Sequence, residues 1–411
     1  GIQALSDNNL ISTATTDLEE KKRGDIGVAV ALNMTDFDSH AIVNIDGEIA
    51  SQAGNVDILA KDILHTNQVE ANTKIKSEKE PDAKKVETEA DDKADDWRVN
   101  QLFDYAQEKK GSILGGFNKA LDMYNELTHL PFPALESFFK ASGAVNLLDE
   151  NKLAQVNIGK NAVVTAHDHL NINATSILGD EFRVAATASS SAKKDNAGFS
   201  AGAAVALSNL KNNSSIQIAE AVKLNALNGE MKILAESGKA LSNKIGFEVL
   251  TIADLKKENL AKVTGLVDAH FEAASSAEVA GKQSTAIGGS GSVLISDLEN
   301  NSDIIINQSA ELNAKNAIDI EAKNAISLLS KGGASSSVSK DSKGIGVGGT
   351  YIQQDIKTNA NVLIKDHVKF TTNSPDAKDQ INIKATNENA LLTALVGSGT
   401  STALSLTGMV S

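Results

Sequence analysis

Short runs in which apolar and polar residues alternate recur along the chain. The commonest run reads aliphatic, polar, Ile, any residue, Ala, and it starts at Val56, Leu170, Met231, Ile318 and Ile381. A second alternating triplet precedes each run, at residues 43–45, 156–158, 216–218, 304–306 and 362–364. Alternation over three to five residues is typical of a strand with one buried face. The intervals are short and rich in Asn, Gly and Asp, so the pattern predicts a parallel β-solenoid whose turns stack on each other.

A second kind of element precedes these runs. Residues 189–198 and 335–344 are rich in Ser and Lys, and each leads into small residues, at 199–207 and 345–351. Asp-Asn and Lys-Asp between alternating segments favour a turn, which leaves two alternatives, a hairpin or a pair of longer strands. Gly and Ala on one face indicate the close approach of another backbone layer.

Residues 76–150 break the repeat. A stretch rich in Lys, Glu, Asp and Ala comes first, and more than half of the chain's aromatic residues follow. Phe117, Leu121 and Tyr124 have helical spacing, and 135–139 suggests a second helical face. We therefore expect a small helical insertion between solenoid repeats at 1–75 and 151–411. It is either a cap packed on itself or on the solenoid, or a recognition module, since insertions in solenoids map to one face.

Three aromatic residues of this insertion are candidates for contact with a partner. They are Trp97, Tyr105 and Phe132. Aromatic side chains dominate the binding energy of interfaces, whereas the repeats present mainly Lys, Asn, Ser and Glu. Trp97 and Tyr105 directly follow the charged stretch, which favours their partial exposure.

The two ends of the sequence predict a piece of a longer chain. The first residue is Gly1 rather than Met. Residues 389–401 resemble 324–335 and so start another copy of the repeated unit.

The repeated units resemble the passenger regions of very large bacterial exoproteins exported by two-partner secretion, the filamentous-haemagglutinin-like adhesins, haemolysins and leukotoxins. The resemblance covers nearly the whole chain except 76–150 and rests on the repeats described above. It implies an all-β fold, a right-handed parallel β-helix with hairpin or long-strand extensions. It also implies export through an outer-membrane secretion pore and contact with a host-cell surface protein or glycan. The expected location is secreted or at the bacterial cell surface.

Composition removes several classes of function. The 39 Lys and Arg residues against 53 Asp and Glu give a net charge of −14, which argues against a nucleic-acid partner. No apolar run approaches the length of about 18 residues that a transmembrane helix needs. The chain contains no Cys, which excludes disulfides, thiol catalysis and thiolate metal sites.

The candidate chemistry along the repeats is sparse. The segment His167-Asp168-His169 is the densest group of metal-ligand types, but Leu170, Ile172 and Ala174 should point inward. Both histidines would then face solvent, so we predict neither a metal site nor a cofactor. A β-helical polysaccharide lyase or glycosidase would need clustered carboxylates and sugar-stacking aromatics. Acidic residues in the repeats instead occur singly between apolar ones, so the sequence favours a non-catalytic protein.

Two non-catalytic functions remain open. The favoured one is an extended shaft that displays binding surfaces, as in an adhesin or a cytotoxin. The alternative is a purely structural spacer with receptor binding or toxicity elsewhere in a longer chain.

Overall fold

The computed structural model describes residues 1–20, 26–77, 139–193, 198–239, 271–280, 285–338, 343–373, 381–400 and 404–410. These residues form strands in three sheets, and all the strand pairings between them are parallel. The prediction of an all-β fold is confirmed for this part of the chain. No helix of a length and apolar character suited to crossing a membrane occurs within these ranges.

The strands divide among the sheets in a regular way. Sheet A contains β1 (Ile2–Glu20), β4 (Val56–Ser77), β7 (Leu170–Lys193), β10 (Met231–Lys239), β11 (Phe271–Ala280), β14 (Ile318–Val338) and β17 (Ile381–Thr400). Sheet B contains β2 (Ile26–Ile45), β5 (Phe139–Ile158), β8 (Gly198–Ile218), β12 (Thr285–Ile306), β15 (Lys343–Ile364) and β18 (Leu404–Val410). Sheet C contains β3 (Glu48–Ala50), β6 (Val163–Ala166), β9 (Lys223–Ala226), β13 (Glu311–Ala314) and β16 (Lys369–Thr372).

The chain visits the sheets in a fixed order, B, then C, then A, and one such passage is called a circuit here. Strands β5, β6 and β7 form one circuit, and β12, β13 and β14 form another. Each strand pairs in register with its counterparts in the neighbouring circuits, so equivalent residues form rows across each sheet.

The Ile of the commonest run forms one such row in sheet A. The register places Ile58, Ile172, Ile233, Ile320 and Ile383 opposite one another in succession. The first four are buried, whereas Ile383, on the outermost strand β17, is 44% exposed. The predicted row is therefore confirmed, and its burial depends on having a circuit on both sides.

Two hydrophobic clusters fill the interior. The first lies where all three sheets meet and includes Ile172, Val164 and Val156. The second lies between the far halves of the long strands of sheets A and B, where Val184 and Ala204 pack. Small residues predominate in sheet B there, as expected for two closely spaced backbone layers.

The corners from sheet B to sheet C share one backbone feature. A residue with φ near +60° stands at the same place in successive circuits: Asn161, Ala221, Ser309 and His367. Backbone N–H groups at these corners donate to the next circuit, as Asn161 does to the carbonyl of Glu220 at 3.1 Å. The hydrogen bonds between circuits therefore continue around the corner, where they stabilise the otherwise unfavourable backbone conformation with positive φ.

Two predictions about the long strands need correction. The segments around 189–198 and 335–344 are not hairpins, because β7 and β8 belong to different sheets and pair only with parallel neighbours. The pair of longer strands is the correct alternative. The match of 389 to 324 is wrong by two residues, since Asn324 lies opposite Asn387. A register error of two residues leaves the same side chains facing inward, so the alternation of apolar and polar residues does not detect it.

The helical insertion predicted over 76–150 is not supported. Residues 139–150 belong to β5, which pairs with β2 and β8 throughout, and Lys76 and Ser77 belong to β4. The apparent helical face at 135–139 thus ends in the first residue of a strand. Residues 78–138 lie outside the described residues.

A second interruption, which the sequence pattern did not reveal, divides one strand of sheet A. Strands β10 and β11 lie end to end beside the uninterrupted strands β7 and β14, and residues 240–270 come between them. Gly238 lies next to the end of β10 and has a φ of +141°. A Cβ atom at this position would clash with the carbonyl oxygen of Ala325. Strand β11 begins at Phe271, whose ring packs edge-on against the ring of Phe182, with the ring centroids 5.4 Å apart.

The row of isoleucines gives the first prediction. The substitution Ile320→Asp buries a carboxylate among apolar side chains and should lower the free energy of unfolding by about 3 kcal/mol or more. Ile383→Asp, the same change at the exposed end of the row, should have a much smaller effect, and Glu321→Lys on the outer face should be nearly neutral. Urea unfolding midpoints measure all three. Equal destabilisation by Ile320→Asp and Glu321→Lys would contradict the inward orientation of this row.

Candidate functional site

Two rows of polar side chains face each other between the two hydrophobic clusters. The row in sheet B consists of Ser39, Lys152, Asn212, Asn300 and Thr358. The row in sheet A consists of Ser6, Asp62, Ser176, Ser237, Asn324 and Asn387. Both rows occupy inward positions of strands whose other inward positions are mostly apolar.

Amides and hydroxyls satisfy each other in most of this layer. The Ser176 hydroxyl donates to the Asn212 side chain at 2.6 Å, and the Asn212 amide donates to Asn300 at 2.6 Å. Asn300 and Asn324 bond to each other across the two sheets, and Asn324 also donates to the Asn300 carbonyl at 2.6 Å. An amide carries both donors and acceptors, so a row of amides can be buried with its hydrogen bonds made.

Charged side chains replace the amides on two strands of neighbouring circuits, β4 and β5. Lys152 and Asp62 are both fully buried, and the Lys152 Nζ lies 3.9 Å from Asp62 Oδ1. Glu150, two residues before Lys152 on the same inward face of β5, is buried as well. We call Asp62, Glu150 and Lys152 the interior charged cluster.

Hydrogen bonds hold the side chains of the cluster in place, but two of its carboxyl oxygens accept none. The Lys152 Nζ donates to the Ile177 carbonyl at 2.6 Å, the Ser39 hydroxyl to Asp62 Oδ1 at 2.7 Å, and the Asn67 amide to Glu150 Oε2 at 2.5 Å. Among the described residues, nothing donates to Asp62 Oδ2 or Glu150 Oε1. A buried carboxyl oxygen without a donor favours the protonated acid over the carboxylate.

Burial dominates the electrostatics of the cluster. It raises the pKa of Glu150 to about 7, against smaller opposing effects of Lys152 and Asn67. It also raises the pKa of Asp62 and lowers the pKa of Lys152, although the two groups attract each other. Burial therefore shifts all three groups of the cluster toward their uncharged forms, in which an amine can act as a nucleophile and a carboxylic acid can give up a proton.

A separate row of charges crosses the outside of sheet A. Arg183 lies 3.0 Å from Glu272 and 3.5 Å from Glu70, and Lys331 lies 3.3 Å from Glu272. The charges alternate in sign from strand to strand, and each of these side chains is partly exposed. This row is typical of cross-strand pairing rather than of a substrate site, because the charges are matched.

The histidines of His167-Asp168-His169 lie on the surface, as expected, with Leu170, Ile172 and Ala174 buried. His167 Nδ1 lies 2.8 Å from Asp168 Oδ1, whereas His169 Nδ1 accepts the backbone N–H of Glu230 at 3.1 Å. The two rings thus take different partners. No group of three metal-ligand side chains occurs in the described part of the chain.

A shallow surface depression with a volume of about 310 Å³ lies beyond the ends of β9 and β13. Asn225, Asn228, Asn313 and Lys315 contribute to its walls. Its polar walls are mostly amides, so it offers hydrogen bonds but no acid–base pair.

The predicted partner-binding residues Trp97, Tyr105 and Phe132 lie outside the described residues, so their role stays a prediction. The interior charged cluster was missed at the sequence level, although a signal for it exists. Counting back by twos from Ile158 passes Lys152 and Glu150, and counting forward by twos from Ile58 reaches Asp62. Extending the alternation beyond each apolar run would have placed all three side chains inside.

Comparison of the chain with protein-family models, with curated proteins and with solved structures gave no match. The interpretation of its function therefore depends on the fold, the interior charged cluster and the sequence.

The raised pKa of Glu150 predicts a pH dependence of stability. The folded protein keeps this proton between the ordinary pKa of 4.5 and about 7, where the unfolded chain has released it. The stabilisation is complete below about pH 4.5 and is lost as the pH rises through about 7, a change of roughly 3 kcal/mol.

We expect the wild type to lose this amount relative to Glu150→Gln, which cannot ionise, in urea unfolding between about pH 4.5 and about pH 8. Lys152, whose shift acts in the opposite sense, is present in both proteins, so their difference reports Glu150 together with its electrostatic coupling to Lys152 and Asp62. Parallel pH profiles for the two proteins would show that Glu150 is not protonated in the fold.

Proposed function

We propose that the chain is a right-handed parallel β-helix that serves as a non-catalytic shaft segment of a large bacterial exoprotein. The proposal places it among the filamentous-haemagglutinin-like adhesins and toxins, secreted or held at the bacterial surface. The observation that carries it is the fixed B, C, A order of the strands, with each circuit paired strand by strand to the next. Such stacking adds length one circuit at a time without a new core.

The interior supports a role in extension rather than in catalysis. Rows of Ile, Ala and Asn repeat from circuit to circuit, so each circuit stabilises its neighbours in the same way. The interior charged cluster is closed to solvent, and none of its side chains lines the surface depression beyond β9 and β13. The absence of Cys also suits export through an outer-membrane pore, because no disulfide must form on either side.

Contact with a host-cell protein or glycan is assigned to residues 78–138. This segment connects β4 to β5, at the passage from sheet A to sheet B. The other passages from sheet A to sheet B take three to five residues, at 21–25, 194–197, 281–284, 339–342 and 401–403. A long aromatic-rich segment in place of a short connection can be presented at the side of the shaft while the stack continues beneath it.

A spacer without binding activity is the second candidate. It is favoured by the outer faces of the strands, where side chains bond along the stack. Asn157 donates to Asn44 at 2.8 Å, and Asn313 donates to Asn225 at 3.0 Å. Such side chains stabilise neighbouring circuits and leave fewer groups for a partner.

Removal of 78–138 distinguishes the two candidates. The variant carries Lys194-Asp195-Asn196-Ala197, the short connection between β7 and β8, in place of this segment. We expect loss of binding to cultured mammalian cells, measured by flow cytometry with the labelled chain, and an unchanged β-sheet circular dichroism signal. The matched control replaces 240–270 by Ser-Leu-Leu, as at 327–329 of β14, and should bind as the wild type does. Undiminished binding without 78–138 would favour the spacer or a binding surface on the shaft.

The aromatic candidates allow a finer test within that segment. Trp97→Ala should weaken cell binding at least tenfold, which corresponds to about 1.4 kcal/mol, because large aromatic side chains supply most interface energy. Thermal unfolding should stay unchanged. Tyr105→Ala and Phe132→Ala test the remaining candidates, and Trp97→Phe should retain part of the binding. A fall in melting temperature together with the loss of binding would instead make Trp97 part of a packed core.

A further inference from the structure

The interior charged cluster joins the two strands that flank residues 78–138. Asp62 belongs to β4, which precedes this segment, and Lys152 belongs to β5, which follows it. Their side chains approach each other across the interior, where solvent does not reach them. We propose that Lys152 and Asp62 condense to an intramolecular amide cross-link. This proposal does not depend on the proposed function.

The geometry holds the two reacting groups side by side. Lys152 Nζ stands 3.9 Å from Asp62 Oδ1, an oxygen of the carboxyl group that it would attack. Hydrogen bonds from Nζ to the backbone carbonyls of Ile177 at 2.6 Å and Asp62 at 3.4 Å hold the amine beside that carboxyl.

The ionisation of the cluster suits this reaction. Burial lowers the pKa of the Lys152 amine and raises the pKa of the Asp62 carboxyl, so each group is shifted toward the uncharged form that the condensation needs.

The reaction balances without a co-reactant. The lone pair of Nζ attacks Cγ of protonated Asp62. A proton then passes from the nitrogen to the Asp62 hydroxyl of the tetrahedral intermediate, and this hydroxyl departs as water. One C–N bond forms, one C–O bond breaks, and one water is released. The product is a neutral amide, which is easier to bury than two ionisable groups.

The product would close the chain around 78–138. Every residue of that segment lies between the bonded positions, so the cross-link would fasten its base even where neighbouring strands separate. The chain has no Cys and therefore no disulfide that could do the same. Such a bond would keep this segment attached to the stack under load.

The intact mass of the purified 411-residue chain tests the proposal. We expect a mass below that of the sequence by one water molecule. Lys152→Met, which keeps the length of the side chain without the amine, should restore the full mass.

Peptide mapping locates the bond. After denaturation, trypsin should cleave after Lys140, a buried lysine on the same strand, but not after Lys152, and one branched peptide should contain Asp62 and Lys152. A full-length mass with normal cleavage after Lys152 would overturn the cross-link. So would a loss of water that maps to a succinimide at Asp46-Gly47 or is reversed by mild alkali, since an amide resists that treatment.

Discussion

Stacking of equivalent residues in register, one strand spacing of about 4.8 Å apart, is the constraint on which the rest of the structure depends. The nearest neighbours of an inward side chain are its own counterparts in the adjacent circuits. Apolar rows satisfy this condition by packing, and amide rows satisfy it by hydrogen bonding. A row of equal charges could not, so Lys152 stands between Ser39 and Asn212, and Asp62 between Ser6 and Ser176. The interior charged cluster is tolerated because it is confined to one strand of each long sheet, β4 and β5, where Lys152 faces Asp62 across the interior.

Much of the fold follows from the sequence, for a reason specific to this architecture. A short alternating run such as 318–322 identifies the strand and its inward face, and its recurrence identifies the row to which it belongs. Sequence similarity between units thus indicates which strands are neighbours in a sheet, which the sequences of most folds do not indicate directly. The ends of the long strands were harder to predict, because turn residues such as Asp195-Asn196 indicate a change of direction but not which sheet the next strand joins.

The candidate site was hidden for a related reason. Apolar residues mark the inward face along most of the strands, but β5 carries Glu150 and Lys152 on that face, flanked by Leu148 and Ala154. Charged residues are ordinarily interpreted as exposed. Only the alternation of inward and outward positions along β5 indicates that Glu150 and Lys152 face the interior. Whether Asp62 meets Lys152 also depends on the distance between sheets A and B, which alternation along either strand does not encode.

The strands of the preceding circuits carry additional residues at the level of sheet A where β10 ends and residues 240–270 begin. Strand β4 carries one extra residue there, His65, relative to β1, and β7 carries two, Gly179 and Asp180, opposite His65. The surplus backbone stacks closely enough that a Cβ on Gly179 would meet the His65 carbonyl. On β14 and β17 the register runs through this level without a shift. A foreign peptide grafted after His65 or Gly179 would therefore leave at a level where the sheet already accommodates additional chain, which makes these two positions natural attachment points for displayed epitopes.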